Sequence, residues 1–330
     1  MKKVNIAVVG ATGMVGRTFL KVLEERDFPY EKIYCYASKR SAGMKVKCKG
    51  EDIIVEELTE SSFDRDIDIA LFSAGGATSE KFAPIAASKG VIVIDNSSHF
   101  RMHDEVPLVV PEVNPEAIWQ HKNIIANPNC STIQAMVALK PLQDQYGLDR
   151  VIISTYQAVS GSGVKGVTDL EEGLKGSTDT LAYPHPIANN CLPHIDVFMD
   201  NGYTKEEMKM IDETKKILSD ADLKVTATAV RVPLYDCHSE ALNVQLSKEF
   251  EIEDIFKLYE AYDGIILQDD VSNNVYPLAT TAKGTDDVYI GRIRRDFSID
   301  NGINIWVVAD NIRKGAASNA IQIAEVLINR

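Results

Sequence analysis

Basic charge is scarce in this 330-residue chain: 35 Lys and Arg stand against 48 Asp and Glu, a net charge of −13. That balance leaves no room for a large basic face, which argues against nucleic acid or an anionic membrane surface as a partner. An anionic small molecule would have to be held by local clusters of Arg and Lys. Long apolar runs are also missing, since none approaches the roughly 18–20 residues that a membrane span needs. The opening MKKVNIAVVGATG sets two lysines before an apolar run, as a secretory leader does. The run breaks at Gly10 and leads into a motif, so it reads as a strand. Five cysteines, odd in number and irregular in spacing, make no disulfide framework and point to a reducing compartment. Repeats and low-complexity linkers are absent. With 45% hydrophobic and 25% charged residues, the expectation is a soluble, cytoplasmic protein of two domains.

What is present begins with alternation. Short apolar runs at Val4–Val9, Ile33–Tyr36, Ile67–Phe72, Val91–Ile94 and Ile124–Ala126 read as buried parallel strands, with helical stretches such as Met14–Arg26 and Ser79–Ser88 between them. This is the pattern of a Rossmann-like, doubly wound α/β domain over residues 1–129. Further on, Val151–Val159, Val225–Val232, Ala241–Leu246, Val288–Arg294 and Ile303–Ala309 are longer and more alternating, and Asp300-Asn301-Gly302 is a hairpin signal. They predict an α+β catalytic and dimerisation domain over 130–314 with a mainly antiparallel sheet, one face of which could pair two copies. The tail Gly315–Arg330 reads as a helix that packs back on the first domain.

GATGMVG, Gly10–Gly16, lies where a strand passes into a helix. Glycines there let the backbone approach a pyrophosphate seated on the helix N-terminus, although a plain tight turn would also use them. An NAD site would carry Asp or Glu about 20 residues on. Here the second strand ends in Ser38-Lys39-Arg40-Ser41 with no acid. Arg40 between two serines offers a guanidinium fork and hydroxyls to a 2′-phosphate, which favours NADP over NAD; a solvated loop would look similar. Ser160-Gly161-Ser162-Gly163 is either an ordinary turn or a second backbone approach, at the nicotinamide end.

Cys130, in ANPNCSTIQAM, opens a predicted helix at a place where a capping Ser, Thr, Asp or Asn is usual. A buried thiol is one reading. The other is a nucleophile, since a helix N-terminus favours the thiolate. Such a nucleophile needs a base, and of six histidines His238 stands out: it follows Cys237 in RVPLYDCH, seven residues after Arg231. A satisfied loop histidine is the competing reading, and Cys237 is a rival thiol without the strand-to-helix setting. In TKEEMK, Thr204 and Glu207 form a capping box, which puts Glu206 and Lys209 on one helix face. They are either a solvated ion pair or a matched cation and anion for a zwitterionic phosphorylated substrate. Arg101, in SSHFRM, is a further anion-binding candidate. Cys191-x-x-His194 is half a ligand set with nothing to complete it, so no metal is expected.

Taken in order, GATGMVG, SKRSAG, SSHFR (97–101), NPNCST (127–132), YQAVSGSG (156–163), KEEMK (205–209) and RVPLYDCH (231–238) resemble the aspartate-semialdehyde dehydrogenase family over nearly the whole chain. The compact length is similar to the branch common in Gram-positive bacteria. The resemblance implies Cys130 as the nucleophile that forms an acyl-thioester, Gln157 as a group that positions the acyl, and His238 as acid/base. It implies Arg231 on the substrate α-carboxylate, Glu206 on its ammonium, and Arg101 and Lys209 on the phosphate with Asn129 close by. For the cofactor it implies Gly10, Thr12, Gly13, Met14 and Val15 at the pyrophosphate, Ser38, Arg40 and Ser41 at the 2′-phosphate, and Ser160 and Gly161 at the nicotinamide. Asn311 stands where some members have Gln at the cofactor.

The implied reaction is reversible, NADPH-dependent reductive dephosphorylation of aspartyl phosphate to aspartate semialdehyde, with release of phosphate, by a homodimer. It would serve lysine, threonine and methionine biosynthesis. The nearest alternative, an N-acetylglutamyl-phosphate reductase, typically has NPGCY where this chain has NPNCS, and its acylated amine has no use for Glu206. A non-catalytic NADP-binding paralogue would be expected to lose Cys130 or His238. A glyceraldehyde-phosphate-type enzyme would not need the KEEMK pair.

Overall fold

The computed structural model describes residues 3–329; Met1, Lys2 and Arg330, the last residue of the predicted tail helix, lie outside them. Two compact units emerge, one formed by the chain up to Asn129 together with Ala316 onward, the other by Cys130–Gly315.

The first unit runs β1 (Val4–Val9), α1 (Met14–Glu25), β2 (Tyr30–Ala37), β3 (Lys45–Cys48), β4 (Glu51–Glu57), β5 (Ile69–Phe72), α2 (Gly76–Ser88), β6 (Ile92–Asp95) and β7 (Ile124–Ala126). Every residue of β1 is buried, as a central parallel strand requires. The sheet order is β3-β4-β2-β1-β5-β6-β7, parallel except for the β3–β4 hairpin. That hairpin is a correction to the sequence reading, which has no strand there. Its turn residues Lys49 and Gly50 both have positive φ (48° and 78°), the geometry that closes a two-residue hairpin. Its alternating charged residues hide it from a search for apolar runs.

The chain order reverses between β1 and β5, which leaves a crevice at their C-terminal ends. GATGMVG fills that corner. Gly10 has φ +89°, and a side chain there would lie 2.3 Å from the Ser73 carbonyl oxygen; one at Gly16 would lie 2.1 Å from the Gly10 carbonyl oxygen. Only glycine allows strand and helix to meet this closely. A C-terminal helix, Ser318–Ile328, packs its Ala320, Ile321 and Ala324 into the same core as Phe19, Leu20 and Leu23 of α1. Glu325 takes a two-pronged contact from Arg26, 2.7 Å on each arm. Arg313–Ala317, just before it, is a π-helical turn.

The second unit runs α3 (Cys130–Tyr146), β8 (Leu148–Gln157), α4 (Gly163–Leu174), α5 (Lys205–Ile217), β9 (Lys224–Arg231), β10 (His238–Leu246), α6 (Ile252–Glu260), β11 (Ile265–Leu267), β12 (Val288–Asp296) and β13 (Gly302–Ala309). Its sheet, β11-β12-β13-β10-β8-β9, is antiparallel across the three central pairs and parallel at both edges. α3 lies across the middle of one face, and Ser131–Leu139 of it are all buried. The capping box predicted for α5 is present, with Thr204 and Glu207 each serving the other's backbone.

Of the boundaries that differ from the sequence reading, two concern the candidate site. The predicted strand through Val159 stops at Gln157, because the next backbone N–H groups leave the ladder: Ala158 turns to His238, Val159 to the Leu234 carbonyl and Ser160 to the Tyr235 carbonyl. The strand predicted from Ala241 instead begins at His238, whose polar His-Ser-Glu start does not resemble a buried strand.

Candidate active site

The second unit gathers most of the candidate side chains on the α3 face of its sheet. Strand register does this: His238 on β10 stands opposite Gln157 on β8 and Ala309 on β13, and Glu240 stands opposite Thr155. Residues directly opposite in a ladder point to the same face. Cys130 is the first residue of α3 and is partly exposed. Gly315 packs on it so closely that a side chain there would lie 2.8 Å from the Cys130 β-carbon.

His238 is fully buried, and its Nδ1 accepts a 3.1 Å hydrogen bond from the Ala158 N–H. A nitrogen that accepts cannot carry the proton, so the neutral ring carries it on Nε2, which has no hydrogen-bond partner among the described residues. Burial first, and then the nearby Arg231 charge, push its pKa down from 6.5 to about 3; Glu206 works weakly the other way. The competing reading of a satisfied loop histidine does not hold, because the residue lies in a strand and one ring nitrogen is unsatisfied.

Arg231, at the end of β9, is 4% exposed. Its Nη1 donates to the Ala158 carbonyl at 2.6 Å, its Nε has no hydrogen-bond partner among the described residues, and the Tyr183 ring lies 6.0 Å from its guanidinium carbon. Among the described residues no carboxylate pairs with it. A buried cation without a counter-ion is suited to receive an anion. Gly161 explains why the SGSG turn is glycine-rich. A side chain there would come within 2.8 Å of Arg231 Nη1 and 3.3 Å of His238 Nε2.

Glu206 and Lys209 do share a face of α5, with Glu206 buried and Lys209 half-buried. Lys209 Nζ lies 3.1 Å from Glu206 and 2.7 Å from Asp196, while Gln157 donates to the other Glu206 oxygen at 3.1 Å and accepts from Thr155. Burial works against the Lys209 charge, yet the two carboxylates outweigh it and raise its pKa. Asn311 has its amide fully engaged: its oxygen accepts from Cys237 N–H at 2.9 Å and its nitrogen donates to Ser160. It braces the SGSG turn against the strand that carries His238. Cys237, the rival thiol, is buried with its pKa pushed up to about 12 by that burial, and it donates to the Ala279 carbonyl. It is an inert core thiol.

The first unit carries the remainder. Arg101 is buried, with Nε on the Asn127 carbonyl and Nη2 on the Asn96 carbonyl, both at 2.9 Å; Asn129 is also buried. Asp95 fixes the preceding loop by accepting from Ser79 and Ser97. The first turn of α1 has no side-chain cap at Gly13, and Thr12, Met14 and Val15 are half-buried around it. Ser38 and Arg40 are exposed at the end of β2, Ser41 is half-exposed, and no acid faces the guanidinium among the described residues. These features fit a dinucleotide: a side-chain-free cradle, an uncapped helix start, and an arginine where an adenosine ribose would end. The sequence reading missed Gly75, which has φ +88° and caps α2 at the same crevice, and also Thr155, Asp196, Glu240 and Gly315. A second glycine-rich turn after a strand, SAGGA, was the available signal for the first of these.

Comparison with known proteins gives the family. Residues 5–121 match the semialdehyde dehydrogenase NAD-binding domain and residues 139–314 the semialdehyde dehydrogenase dimerisation domain. The aspartate-semialdehyde dehydrogenase of Aquifex aeolicus is 53% identical over 98% of both chains. This chain belongs to the aspartate-semialdehyde dehydrogenase family. Among solved structures, aspartate semialdehyde dehydrogenase II of Vibrio cholerae complexed with ASA superposes with a TM-score of 0.95 at 48% identity, covering 100% of this chain and 99% of that one. The Candida albicans aspartate semialdehyde dehydrogenase with NADP superposes with a TM-score of 0.79 at 26% identity over 99% of each. Membership makes the chain an oxidoreductase with an NAD(P)-binding domain. Among the described residues no group of three His, Cys, Asp or Glu is placed to hold a metal ion, and no helix is long and apolar enough to cross a membrane.

The buried neutral His238 sets a pH dependence. Its folded pKa lies below its unfolded value, so between about 3 and 6.5 the unfolded chain binds the extra proton and stability rises with pH. Acidification through that window should cost up to about 1.4 kcal/mol per pH unit from this group. His238→Gln should flatten that part of the curve when urea midpoints are compared at pH 5 and pH 7.5. An unchanged slope would show that the ring is not held neutral.

Proposed function

We propose that this chain catalyses the reversible, NADPH-dependent conversion of L-aspartyl-4-phosphate to L-aspartate-4-semialdehyde and phosphate, as a cytoplasmic homodimer serving lysine, threonine and methionine biosynthesis. The observation that carries this reading is the cluster of buried Arg231, His238 and Glu206, with half-buried Lys209, in one unit with a helix-opening Cys130. An amino-acid substrate needs a cation for its carboxylate and an anion for its ammonium, and Arg231 and Glu206 supply them. Lys209 and Arg101, with Asn129, are the phosphate ligands in this reading.

The chemistry starts with the Cys130 sulfur, as thiolate, adding to the β-carbonyl carbon of the acyl phosphate. The carbon–oxygen bond to phosphate breaks and phosphate leaves with its electron pair, which yields a thioester. When bound, the cofactor supplies a hydride to the thioester carbonyl carbon. The resulting alkoxide collapses, the carbon–sulfur bond breaks, and Cys130 is regained as thiolate beside the aldehyde. Gln157, held by Thr155 and Glu206, orients the acyl group. His238 presents its Nε2 proton to the oxygen that gains charge. A substrate carboxylate on Arg231 would neutralise one of the two influences that hold the ring uncharged, which eases proton exchange at Nε2.

For the cofactor, Gly10, Thr12, Gly13, Met14 and Val15 are the proposed pyrophosphate cradle, Ser38, Arg40 and Ser41 the 2′-phosphate site, and Ser160 and Gly161 the nicotinamide end. Asn311 is read as the brace of that last turn. The unit closed by Asn129 and the C-terminal helix is then the cofactor domain, and Cys130–Gly315 the catalytic and dimerisation domain. Homodimerisation is favoured by the sheet face opposite α3, where Tyr156 packs on Trp306 and a cavity of about 560 Å³ is lined by Leu234, Tyr276 and Leu278, all exposed.

Reduction of NADP with L-aspartate semialdehyde should require inorganic phosphate and be much poorer with NAD. Cys130→Ser should abolish it by about three orders of magnitude or more while NADP binding, read by fluorescence titration, is retained; full activity would remove the nucleophile assignment. Lys209→Ala should raise the apparent KM for phosphate by about ten-fold or more and that for semialdehyde far less. Equal rises would take Lys209 away from the phosphate. Tyr276→Asp combined with Leu278→Asp should shift the mass seen by light scattering from dimer to monomer, and an unchanged dimer would place the interface elsewhere.

A further inference from the structure

Glu240 takes no part in the chemistry above, yet its placement is costly. It lies on β10 two residues after His238, on the same face, and it is fully buried. Among the described residues, neither carboxyl oxygen has a hydrogen-bond partner of good geometry and no cation offsets it. Burial raises its pKa well above the ordinary carboxylate value, and the Gln134 amide and the Ser131 hydroxyl partly counter this. Both belong to the first turns of α3, the helix that Cys130 opens. The Gln134 amide is itself buried, with neither its oxygen nor its nitrogen hydrogen-bonded. A leucine or methionine would fill this place without the desolvation cost.

We propose that Glu240 is a positioning residue: as an uncharged carboxylic acid it ties Gln134, and so the start of the Cys130 helix, to the strand that carries His238. The chemistry of the two groups fits this assignment. A carboxylate only accepts, and would leave the Gln134 amide oxygen unmatched. A carboxylic acid offers one O–H donor and one C=O acceptor, the complement of an amide's acceptor oxygen and donor nitrogen. The acid O–H then donates to the Gln134 oxygen while its carbonyl accepts from the Gln134 nitrogen. Thr155, opposite Glu240 on β8, is already committed to Gln157, and Val307, opposite on β13, is apolar, so α3 is the direction in which partners lie. The lack of charge also matters to the nucleophile. An anion under the first turn of α3 would oppose the positive end of the helix dipole, on which a thiolate at Cys130 would draw.

This rests on the reading of Cys130 as the nucleophile, and the test separates the two. Glu240→Gln keeps a donor and an acceptor and should retain kcat within about two-fold. Glu240→Met keeps the volume, removes the polar pair, and should lower kcat by about ten- to a hundred-fold with little change in either KM. It should also slow alkylation of Cys130 by iodoacetamide in the absence of substrate. Its thermal midpoint should be unchanged or higher, because a buried unsatisfied carboxyl is gone; a merely structural role would lower stability and activity together. Gln134→Leu should reproduce the loss, and the Glu240→Met/Gln134→Leu double variant should lose no more than either alone. This pair keeps the test decisive if one variant fails to fold. A fully active Glu240→Met, or a Glu240→Gln as impaired as Glu240→Met, overturns the proposal. Should Cys130→Ser itself be active, the reading of the site fails first, whatever the Glu240 variants do.

Discussion

The antiparallel ladder between β8 and β10, in the register that sets His238 opposite Gln157, is the constraint on which the second unit's site depends. Side chains alternate across a strand, so a slip of one residue would turn His238, Glu240, Gln157 and Thr155 together onto the other face. The ladder also ends where it must. Ala158 spends its N–H on the His238 imidazole and its carbonyl on Arg231, so one residue at the strand exit fixes a tautomer and orients a cation. The same exit starts the SGSG turn, whose Gly161 leaves space for both groups.

Electrostatics within each unit run against the character of the whole molecule. The chain carries a net charge of −13, yet Arg101 and Arg231 are buried and Lys209 is mostly so. Each is restrained differently. Arg101 is held by backbone carbonyls, Lys209 by Asp196 and Glu206, and Arg231 by a single carbonyl and a ring face. Among the described residues, Arg231 is the one of the three with a buried nitrogen left without a hydrogen bond.

Several features were legible in the sequence for plain reasons. The β1–α1 corner was readable because only glycine tolerates its close approaches, and glycines show in the string. The capping box of α5 was readable because it is a local bond between residues three apart. Other features were not. The β3–β4 hairpin has no apolar stretch to announce it, and its turn is a Lys-Gly pair. β10 was read three residues short because its first buried residues are His, Ser and Glu, whose burial depends on partners in β8, β13 and α3. Asp196 lies in left-handed backbone (φ 69°) in an irregular segment, and nothing nearby in sequence marks it as the counter-ion of Lys209.

The sequence by itself determined the types of chemistry in the chain and the local turns that present them: a thiol at a helix start, glycines at a strand exit, a carboxylate and an ammonium on one helix face. These follow from interactions within a few residues, which any reader of the string can apply. Tertiary structure alone decided which thiol is inert, which histidine nitrogen carries the proton, and which carboxyl is buried without a counter-ion. Those states are set by burial and by hydrogen bonds from residues up to about eighty positions away, as between Ala158 and His238. Desolvation is a property of the packed environment, and no single stretch of sequence contains it.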